Sequence, residues 1–268
     1  MRPKANDRPV NMEAGRSQDG LQEEQYSPKN VRAYEAIYGT DFVSPGGKAM
    51  ARRLLSELDL QPNRRVLDVG SGLGGSVFLL AEEFDALPTG IDLSPNMVAE
   101  ATRRSRLRGL GESVNFRNLD CLELDESEAF DLVVSRDVFL HIHDKERLMS
   151  VLFRALKPGG QIYFTDYCCK PKPWPWSFSA YVDARKYALH TLEEYQAYIR
   201  GAGFDIIEAR DITDLFAHTL SEELSRLKGV RGVGWATRTG LRMAWKMKLN
   251  RARSGVHRWG LFRARKPL

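Results

Sequence analysis

The clearest chemical signal in the sequence is a glycine-rich segment that follows a short apolar stretch. Arg65–Val69 predicts a buried strand, and the next residues are Gly70-Ser71-Gly72-Leu73-Gly74-Gly75. Glycines at positions 70, 72 and 74 let the chain turn sharply and bring bare backbone against a ligand. In an open parallel sheet, ligands bind beyond the carboxyl ends of the strands. The segment therefore predicts a ligand-binding loop at the end of the first strand.

Two aspartates follow at the ends of the next two predicted strands. Asp92 lies 22 residues after Gly70, where a carboxylate can accept both ribose hydroxyls of a nucleoside. Asp120 can accept a hydrogen bond from an adenine amino group. The loop reads G-x-G-x-G-G, unlike the G-x-G-x-x-G of dinucleotide sites, and no Lys-Ser/Thr pair follows it as in a P-loop. These residues indicate a nucleoside-containing ligand of another kind.

Short strands alternate with helices from Arg65 onward, which predicts an α/β fold with a mostly parallel sheet covered by helices on both faces. Two helix starts have clear signals, an N-cap followed by proline at Ser94-Pro95 and a capping box from Thr191 to Glu194. The predicted strands are Arg65–Val69, Pro88–Leu93, Val114–Asn118, Phe130–Ser135, Gln161–Tyr167, Phe204–Glu208 and Trp259–Arg265, with Lys157–Gly160 as a turn. The predicted helices are Tyr26–Tyr38, Ala49–Leu58, Val77–Phe84, one that starts at Ser94, Asp144–Leu156 and Thr191–Gly201.

The net charge of +5 on 268 residues is distributed unevenly. From Arg226 to Leu268 there are 13 of the 40 Lys and Arg residues and none of the 35 Asp and Glu residues. This basic segment indicates either a solvated cationic surface or attraction to an anionic partner. Nucleic acid is the less favoured partner, because the segment holds only Trp235, Trp245 and Trp259 for base stacking and no recognised module. Anionic lipid headgroups are the other candidate.

Several classes of protein are excluded by composition. The hydrophobic fraction of 43% is enough for a core, yet apolar runs such as Val77–Ala81 are far shorter than the roughly 20 residues of a membrane span. Met1–Gly20 has no apolar signal segment. Cys121, Cys168 and Cys169 form neither a disulfide framework nor a zinc-site pattern, so we expect buried thiols, no metal and a cytoplasmic location.

The cofactor motifs together resemble the site of class I S-adenosylmethionine-dependent methyltransferases. The similarity rests on Leu67–Gly75, Gly90-Ile91-Asp92, Leu119-Asp120 and the turn Leu156–Gly160, in that order. It implies a Rossmann-like fold with a seven-stranded sheet, and S-adenosylmethionine as the cofactor. The residues that it places at the cofactor are Tyr34, Val43, Ser44, Gly70, Ser71, Gly72, Asp92, Leu93, Asp120, Cys121 and Arg136.

Matches outside those motifs resemble the phosphoethanolamine N-methyltransferases, which build phosphocholine. They include Gln25-Tyr26, Ser135-Arg136-Asp137, Leu140-His141, Thr165–Cys168, Arg185-Lys186-Tyr187 and Arg258-Trp259-Gly260. The resemblance implies stepwise methylation of a small phosphorylated amine, with phosphoethanolamine as the first acceptor. The expected organisation is a flexible arm at 1–25 and one monomeric methyltransferase domain at 26–268. In that domain 26–60 form the lid and entry helices, and 168–200 and 211–250 are acceptor-side elements.

Tyrosines and one arginine are the candidates for binding the substrate phosphate. Tyr181 and Arg185 are four residues apart and share a helix face, and an arginine can donate two N–H groups to a phosphate. Tyr187, and Tyr167 at a strand end, would add hydroxyl donors. In the family that the sequence resembles, the matching positions hold the phosphate.

His141 and Tyr26 are the candidates for catalysis. Methyl transfer needs a deprotonated amine in line with the sulfonium methyl group. In the family a histidine at the position of His141 pairs with a tyrosine of the N-terminal helix, here Tyr26. The resemblance implies that His141 is a general base or polariser, that Tyr26 closes over the acceptor and that Asp137 orients the ammonium. With a histidine pKa of roughly 6.5, the rate should fall as the pH drops through that value.

The chain departs from the family pattern in two places. The family has a phosphate-binding Lys a few residues before its Arg-Trp-Gly motif, where this chain has Arg251 and Arg253 as possible substitutes. The segment Lys170–Trp176 is a stiff loop with prolines and tryptophans near the acceptor side. These departures leave open a different amine, an amino acid or a sulfur acceptor as the substrate.

Overall fold

The computed structural model describes residues 28–227, 229 and 234–268; the arm at 1–25 and Tyr26 lie outside the described residues. Its strands are β1 (Arg65–Val69), β2 (Leu87–Asp92), β3 (Asn115–Asn118), β4 (Phe130–Arg136), β5 (Leu156–Cys169), β6 (Asp205–Asp211) and β7 (His257–Arg265). In this part of the chain they form one seven-stranded sheet in the order β3-β2-β1-β4-β5-β7-β6. Neighbouring strands are parallel except for β7, which is antiparallel to β5 and β6. The predicted fold class is therefore confirmed.

Helices cover the two faces of the sheet, and two short 3-10 helices, Cys121–Glu123 and Phe139–His141, follow β3 and β4. The α-helices are α1 (Pro28–Tyr38), α2 (Gly47–Leu55), α3 (Gly75–Phe84), α4 (Pro95–Leu107), α5 (Lys145–Ala155), α6 (Trp176–Arg185), α7 (Leu192–Gly201), α8 (Thr213–Arg226) and α9 (Trp235–Arg253). The predicted helix signals are confirmed at two starts. Ser94 caps α4, and Thr191 and Glu194 form the capping box of α7.

The core lies in two layers on either side of the sheet, because successive strand residues point to opposite faces. In β4, Leu132 and Val134 pack into a cluster with residues of α2, α8 and α9. Val133, which lies between them, packs into a second cluster with residues of α5 and α7. Burial on both faces explains why the strands read as continuous apolar runs in the sequence.

The segment Lys157–Gly160 differs from the sequence prediction. It was expected to be a turn before a strand, but it is part of β5, whose pairing with β4 shifts register between Phe130 and Leu132. Gly159 has a φ of 74°, and its N–H donates to the carbonyl of Lys266 over 2.9 Å. Backbone pairing with residues near the C-terminus therefore holds this first part of β5 in place, next to the register shift.

The ligand crevice is set by strand order. β1 lies between β2 and β4, so the connections after β1 and β4 leave on opposite sides of the sheet. Such a switch point is where open α/β sheets bind ligands. The loop Gly70–Gly74 and the segment Asp137–His141 both start at this place.

Candidate active site

A cavity of about 480 Å³ lies at the switch point, within the usual size range of small-molecule sites. Most of the residues predicted to bind the cofactor line it, namely Val43, Ser44, Gly70, Gly72, Asp92, Leu93, Asp120, Cys121 and Arg136. Asp137 and His141, which were predicted for the acceptor side, line the same cavity. The cavity therefore joins the two predicted halves of the site.

The glycine loop forms one wall of the cavity. Gly70 has a φ of 73°, and a Cβ atom there would lie 2.3 Å from Cγ2 of Val138. The backbone N–H of Gly72 donates to Oδ2 of Asp92 over 2.8 Å. Only glycine at position 70 lets the end of β1 pass this close to the segment after β4.

Asp92 is held by the backbone on both carboxylate oxygens. Its Oδ1 accepts from the N–H of Ser94 over 2.9 Å, while Oδ2 accepts from Gly72. Burial raises the pKa of Asp92, and these two hydrogen bonds lower it. An ionised carboxylate has about four acceptor positions, so the fixed group can still accept two ligand hydroxyls.

Asp120 lines the cavity and caps the 3-10 helix Cys121–Glu123. Its Oδ1 accepts from the N–H of Leu122 over 2.9 Å, and the residue is exposed. Burial raises the pKa of the neighbouring Cys121 thiol to about 12, so this cysteine stays protonated and lines the cavity as an apolar group.

Two predicted cofactor residues lie outside the cavity. Tyr34 packs in an aromatic group, with its ring centroid 6.1 Å from that of Tyr38 and 6.2 Å from that of Trp245. Burial raises the pKa of Tyr34, and the charge of Arg185 lowers it, which places Tyr34 toward the acceptor side. Ser71 has a buried hydroxyl with no hydrogen-bond partner among the described residues.

Asp137 occupies the most constrained position of the site. It is a non-glycine residue with a φ of 57°, a strained conformation that is often kept for function. Its Oδ1 accepts from Nε1 of Trp259 over 2.6 Å and from the hydroxyl of Thr165 over 3.1 Å. Its Oδ2 is buried and has no partner among the described residues. Asp137 therefore has one oxygen fixed and one that can accept from a ligand.

The surroundings of the Asp137 carboxyl have opposing effects on its pKa. Burial raises its pKa, while Arg136, the hydrogen bonds from Trp259 and Thr165, and the ammonium of Lys248 lower it. Burial is the largest of these effects, so the pKa of Asp137 lies above its usual value, and the donors and cations limit that rise.

His141 ends the 3-10 helix that follows β4. Its ring lies edge-on to that of Tyr187, with centroids 5.2 Å apart and planes at 81°. Burial, with the charges of Lys145 and Arg185, lowers the pKa of His141 to about 4. The imidazole is therefore neutral at physiological pH, and the predicted loss of activity near pH 6.5 needs correction to a lower pH.

The predicted phosphate residues meet in a group that we call the tyrosine cage, defined as Tyr167, Tyr181 and Tyr187. The rings of Tyr181 and Tyr187 have centroids 5.8 Å apart. Lys248 lies against this cage, with Nζ 3.1 Å from the hydroxyl oxygen of Tyr167. Burial and the neighbouring cations Arg185 and Arg251 lower the pKa of Lys248 to about 8, although Asp137 and Glu223 oppose them.

The arginines around the cage differ in position. Arg251 lies with its guanidinium 3.8 Å from the ring centroid of Tyr181. Arg185 is exposed, yet its charge lowers the pKa of Lys248, Arg251 and His141. Arg253 instead donates to the hydroxyl of Ser221 over 3.2 Å on the exposed side of α9. The prediction that Arg253 binds the phosphate is therefore not supported by its placement.

Lys248 was missed because it lies further from Arg258-Trp259-Gly260 than the family spacing suggested. The signal that could have found it is periodicity. Trp245, Leu249 and Ala252 form the buried stripe of α9, and Lys248 falls inside this stripe. A lysine within an apolar stripe is seldom a solvated surface residue.

His257 was also missed. It is fully buried, its ring centroid lies 4.9 Å from that of Tyr167, and neither ring nitrogen has a partner among the described residues. Burial and the charges of Lys248 and Arg251 hold the pKa of His257 well below its usual value. A neutral, buried histidine therefore packs against Tyr167 of the cage.

Two negative findings concern the described residues alone. Within 28–227, 229 and 234–268, no group of three or more His, Cys, Asp and Glu side chains is placed to hold a metal ion. In the same part of the chain, no helix has both the length and the apolar character required to cross a bilayer.

The sheet order, the antiparallel last strand and the glycine loop at the switch point define a class I methyltransferase fold. A family model described as a methyltransferase domain matches residues 60–221. Phosphoethanolamine N-methyltransferase 1 of Arabidopsis thaliana is 39% identical over 248 residues, which are 90% of this chain and 50% of that protein. Phosphoethanolamine N-methyltransferase of Plasmodium falciparum is 33% identical over 260 residues, which are 92% of this chain and 95% of that protein.

A solved structure of a phosphoethanolamine N-methyltransferase is also similar to this chain. Phosphoethanolamine N-methyltransferase 2 of Haemonchus contortus, in complex with phosphomonomethylethanolamine and S-adenosylhomocysteine, is 34% identical and superposes with a TM-score of 0.90. The match covers 95% of this chain and 61% of that one. The chain belongs to the phosphoethanolamine N-methyltransferase family. It spans about half the length of the Arabidopsis relative.

Proposed function

We propose that this chain transfers methyl groups from S-adenosylmethionine to the nitrogen of phosphoethanolamine, stepwise to phosphocholine. The observation that carries the proposal is the carboxylate of Asp137. Its Oδ2 is buried without a partner among the described residues, and the residue lines the glycine-loop cavity. Its charge acts on Lys248, the lysine beside the tyrosine cage. A cationic amine between the cavity and the cage would satisfy this oxygen. The names of the relatives give the same acceptor.

Residues at the switch point would hold the cofactor. Asp92 would accept the two ribose hydroxyls, Asp120 would accept from the adenine amino group, and Gly70 and Gly72 would let the backbone approach. Val43, Ser44, Leu93, Cys121 and Arg136 would complete the wall. When bound, S-adenosylmethionine supplies an electrophilic methyl group on a positively charged sulfur.

Asp137 and His141 would act on the amine. The nitrogen loses one proton for each methyl group that it gains, so the groups around it must accept hydrogen bonds. The Oδ2 of Asp137 would fix the direction of the nitrogen, and the neutral ring of His141 would accept its N–H. A pKa of about 4 makes His141 a weak proton acceptor, which supports the role of polariser over that of general base.

The tyrosine cage, with Arg185, Lys248 and Arg251, would hold the phosphate. Three cations beside tyrosine hydroxyls offer a phosphate charge-assisted hydrogen bonds. Tyr181 and Arg185 lie in α6, and Lys248 and Arg251 lie in α9. The segments 168–200 and 211–250 would form the acceptor side. Residues 26–60 would form the lid, and Tyr26 would close it against His141.

Calorimetric titration with S-adenosylhomocysteine present tests this proposal. Phosphoethanolamine should bind, and ethanolamine should bind at least roughly 10²-fold more weakly, because charge-assisted contacts of about 1.5–3 kcal/mol each are lost. The product phosphocholine tests whether the fully methylated nitrogen still fits beside Asp137. Equal binding of ethanolamine would refute the phosphate cage. An amino acid or a thiol that binds better than phosphoethanolamine would refute the proposed acceptor.

The basic surface of α9 suggests a weak contact with anionic membranes. Trp235 is 82% exposed and Met243 59% exposed on this helix, beside the exposed cations Arg242 and Lys246. We propose a monomeric cytoplasmic enzyme that touches anionic headgroups through this face and does not bind nucleic acid. Co-sedimentation with phosphatidylserine vesicles, but not with phosphatidylcholine vesicles, should show the contact at low salt.

A further inference from the structure

Lys145, at the start of α5, is a buried lysine that the proposed reaction does not use. The residue is 2% exposed, and lysines are almost never fully buried unless they are paired. Its Nζ donates to the backbone carbonyl of Ile142, and to that of Ala188 over 3.2 Å. Two of the three N–H donors of the ammonium therefore bind backbone carbonyls that are far apart in the sequence.

Each of these carbonyls directly follows a residue of the proposed acceptor site. Ile142 follows His141, and Ala188 follows Tyr187. The N–H of Ala188 donates to the carbonyl of Leu140 over 2.8 Å, which joins the same two segments a second time. Between these bonds the rings of His141 and Tyr187 meet edge-on.

Asp166 lies on the other side of Lys145, in β5. It is fully buried, accepts from the hydroxyl of Tyr195 and from the N–H of Leu140, and lowers the cost of burying the ammonium. The hydroxyl of Tyr195, the thiol of Cys168 and the carboxyl of Asp137 are other titratable groups that act on this pair. Asp166 thus holds the 3-10 helix of His141 at Leu140, and Lys145 holds the residue that directly follows it, Ile142.

We infer that Lys145 is a positioning residue, which clamps the segments of His141 and Tyr187 together and so fixes the imidazole at the acceptor. The inference rests on the proposed role of His141. The ammonium also repels a proton on that ring, as does the guanidinium of Arg185 from α6. Tyr187 faces the ring from the loop after α6, while Asp137, His143 and Asp144 line the same cavity on the segment that carries it.

Lys145→Gln tests the clamp, with Lys266→Gln as a matched control. Lys266 is a partly buried lysine whose Nζ also donates to a backbone carbonyl, that of Leu156 over 2.8 Å, but it lies at the opposite end of β5. The first readout is the pKa of His141 from NMR titration of the histidine ring protons, assigned with His141→Ala. We expect it to rise in Lys145→Gln but to stay below the ordinary value of a histidine, because burial is the largest cause of the low pKa and Arg185 also remains. It should stay unchanged in Lys266→Gln.

The second readout separates kcat from cofactor binding. In Lys145→Gln, kcat should fall by up to roughly 10²-fold, the usual effect of a displacement of about 1 Å at a reacting centre, while the Kd for S-adenosylhomocysteine stays the same. Lys145→Arg keeps the charge and the donors, so it should restore the low pKa of His141 and part of kcat. Lys145→Arg also serves as the test variant if Lys145→Gln does not fold.

The outcomes are distinct for the two hypotheses. A folded Lys145→Gln protein with unchanged His141 titration and unchanged kcat would overturn the clamp. A Lys145→Arg protein in which the His141 pKa rises as far as in Lys145→Gln would also overturn it. A fully active His141→Ala enzyme would instead refute the proposed role of His141. The titration of His141 would still report on Lys145 in that case, because it needs no turnover.

Discussion

The cofactor half and the acceptor half of the site are built in different ways. In the cofactor half, backbone N–H groups of Gly72 and Ser94 hold Asp92, and all three residues lie within 23 consecutive residues, from the loop after β1 to the start of α4. In the acceptor half, long side chains reach across the molecule. Nζ of Lys248 contacts the hydroxyl of Tyr167, 81 residues away, and Nε1 of Trp259 contacts Asp137, 122 residues away. The first half is thus a local motif and the second is a product of tertiary packing.

The two halves also differ in their charged groups. The cofactor half presents Asp92 and Asp120 with one cation, Arg136, whereas the acceptor half presents Arg185, Lys248 and Arg251 with one carboxyl, that of Asp137. This difference suits a cationic sulfonium on one side and an anionic phosphate on the other. Variants in the cofactor half should therefore weaken cofactor binding, and variants in the acceptor half should weaken binding of the phosphorylated amine. The largest loss of activity is expected for residues where the two halves meet.

The first prediction concerns that junction. His141→Ala should lower kcat by roughly 10²–10⁴-fold, the usual range for a group that acts on the transferred proton. Cofactor binding should be unchanged, because the ring belongs to the acceptor half. With a pKa of about 4, His141 is neutral above pH 5, so kcat/KM of the unmodified chain should show no loss from this group near pH 6.5 and a loss as the pH falls through about 4. Steady-state kinetics from pH 4 to 9 checks both points.

His141→Gln is the matched control, because glutamine keeps a hydrogen-bond acceptor of similar reach. It should retain more activity than His141→Ala. Near-normal turnover of His141→Ala at every pH would mean that the ring only packs against Tyr187. The reaction would then depend on other residues between the two halves.

The second prediction concerns the cofactor half alone. Asp92→Ala removes the acceptor for two ribose hydroxyls and should weaken S-adenosylhomocysteine binding by about 3 kcal/mol or more, roughly 10²-fold. Affinity for phosphoethanolamine should change little. Calorimetry measures both constants in one series. Asp131→Ala, which removes a carboxylate bound to Arg64 and Lys157 away from the cavity, is the control. If Asp92→Ala binds the cofactor normally, Asp92 does not hold the ribose and the cofactor site has been placed wrongly.

The difference between the halves explains what the sequence could predict. The glycine loop, Asp92 and Asp120 are close to strand ends, so spacing alone placed them at one edge of the sheet. Lys248 was missed because its contact depends on how α9 packs on the sheet. Arg253 was chosen from its distance to Arg258-Trp259-Gly260, yet a helix turns about 100° per residue and directs it to Ser221 instead.

The third prediction concerns the phosphate. Lys248→Met keeps the length of the stem and removes the charge, so KM for phosphoethanolamine should rise by roughly 10–10²-fold, as for one lost charged contact. The cofactor Kd should stay the same. Because the pKa of Lys248 is lowered to about 8, the ammonium is charged below that pH and loses its proton above it. Affinity for the phosphate should therefore fall as the pH rises through about 8, and this pH dependence should be absent in Lys248→Met.

The smallest effect separates the two arginines at the end of α9, which sequence spacing could not tell apart. Arg251 stacks on Tyr181 of the cage, while Arg253 contacts Ser221 at an exposed position. Arg251→Ala should raise KM for phosphoethanolamine about tenfold, since a stacked and partly desolvated cation is lost. Arg253→Ala should change KM by less than about twofold, because exposed polar contacts contribute little. Parallel kinetics of the two variants measures the contrast at the same net charge, so a general electrostatic effect would affect both equally. Equal losses would mean that the basic surface attracts the phosphate as a whole, and the cage would then not be the specific site.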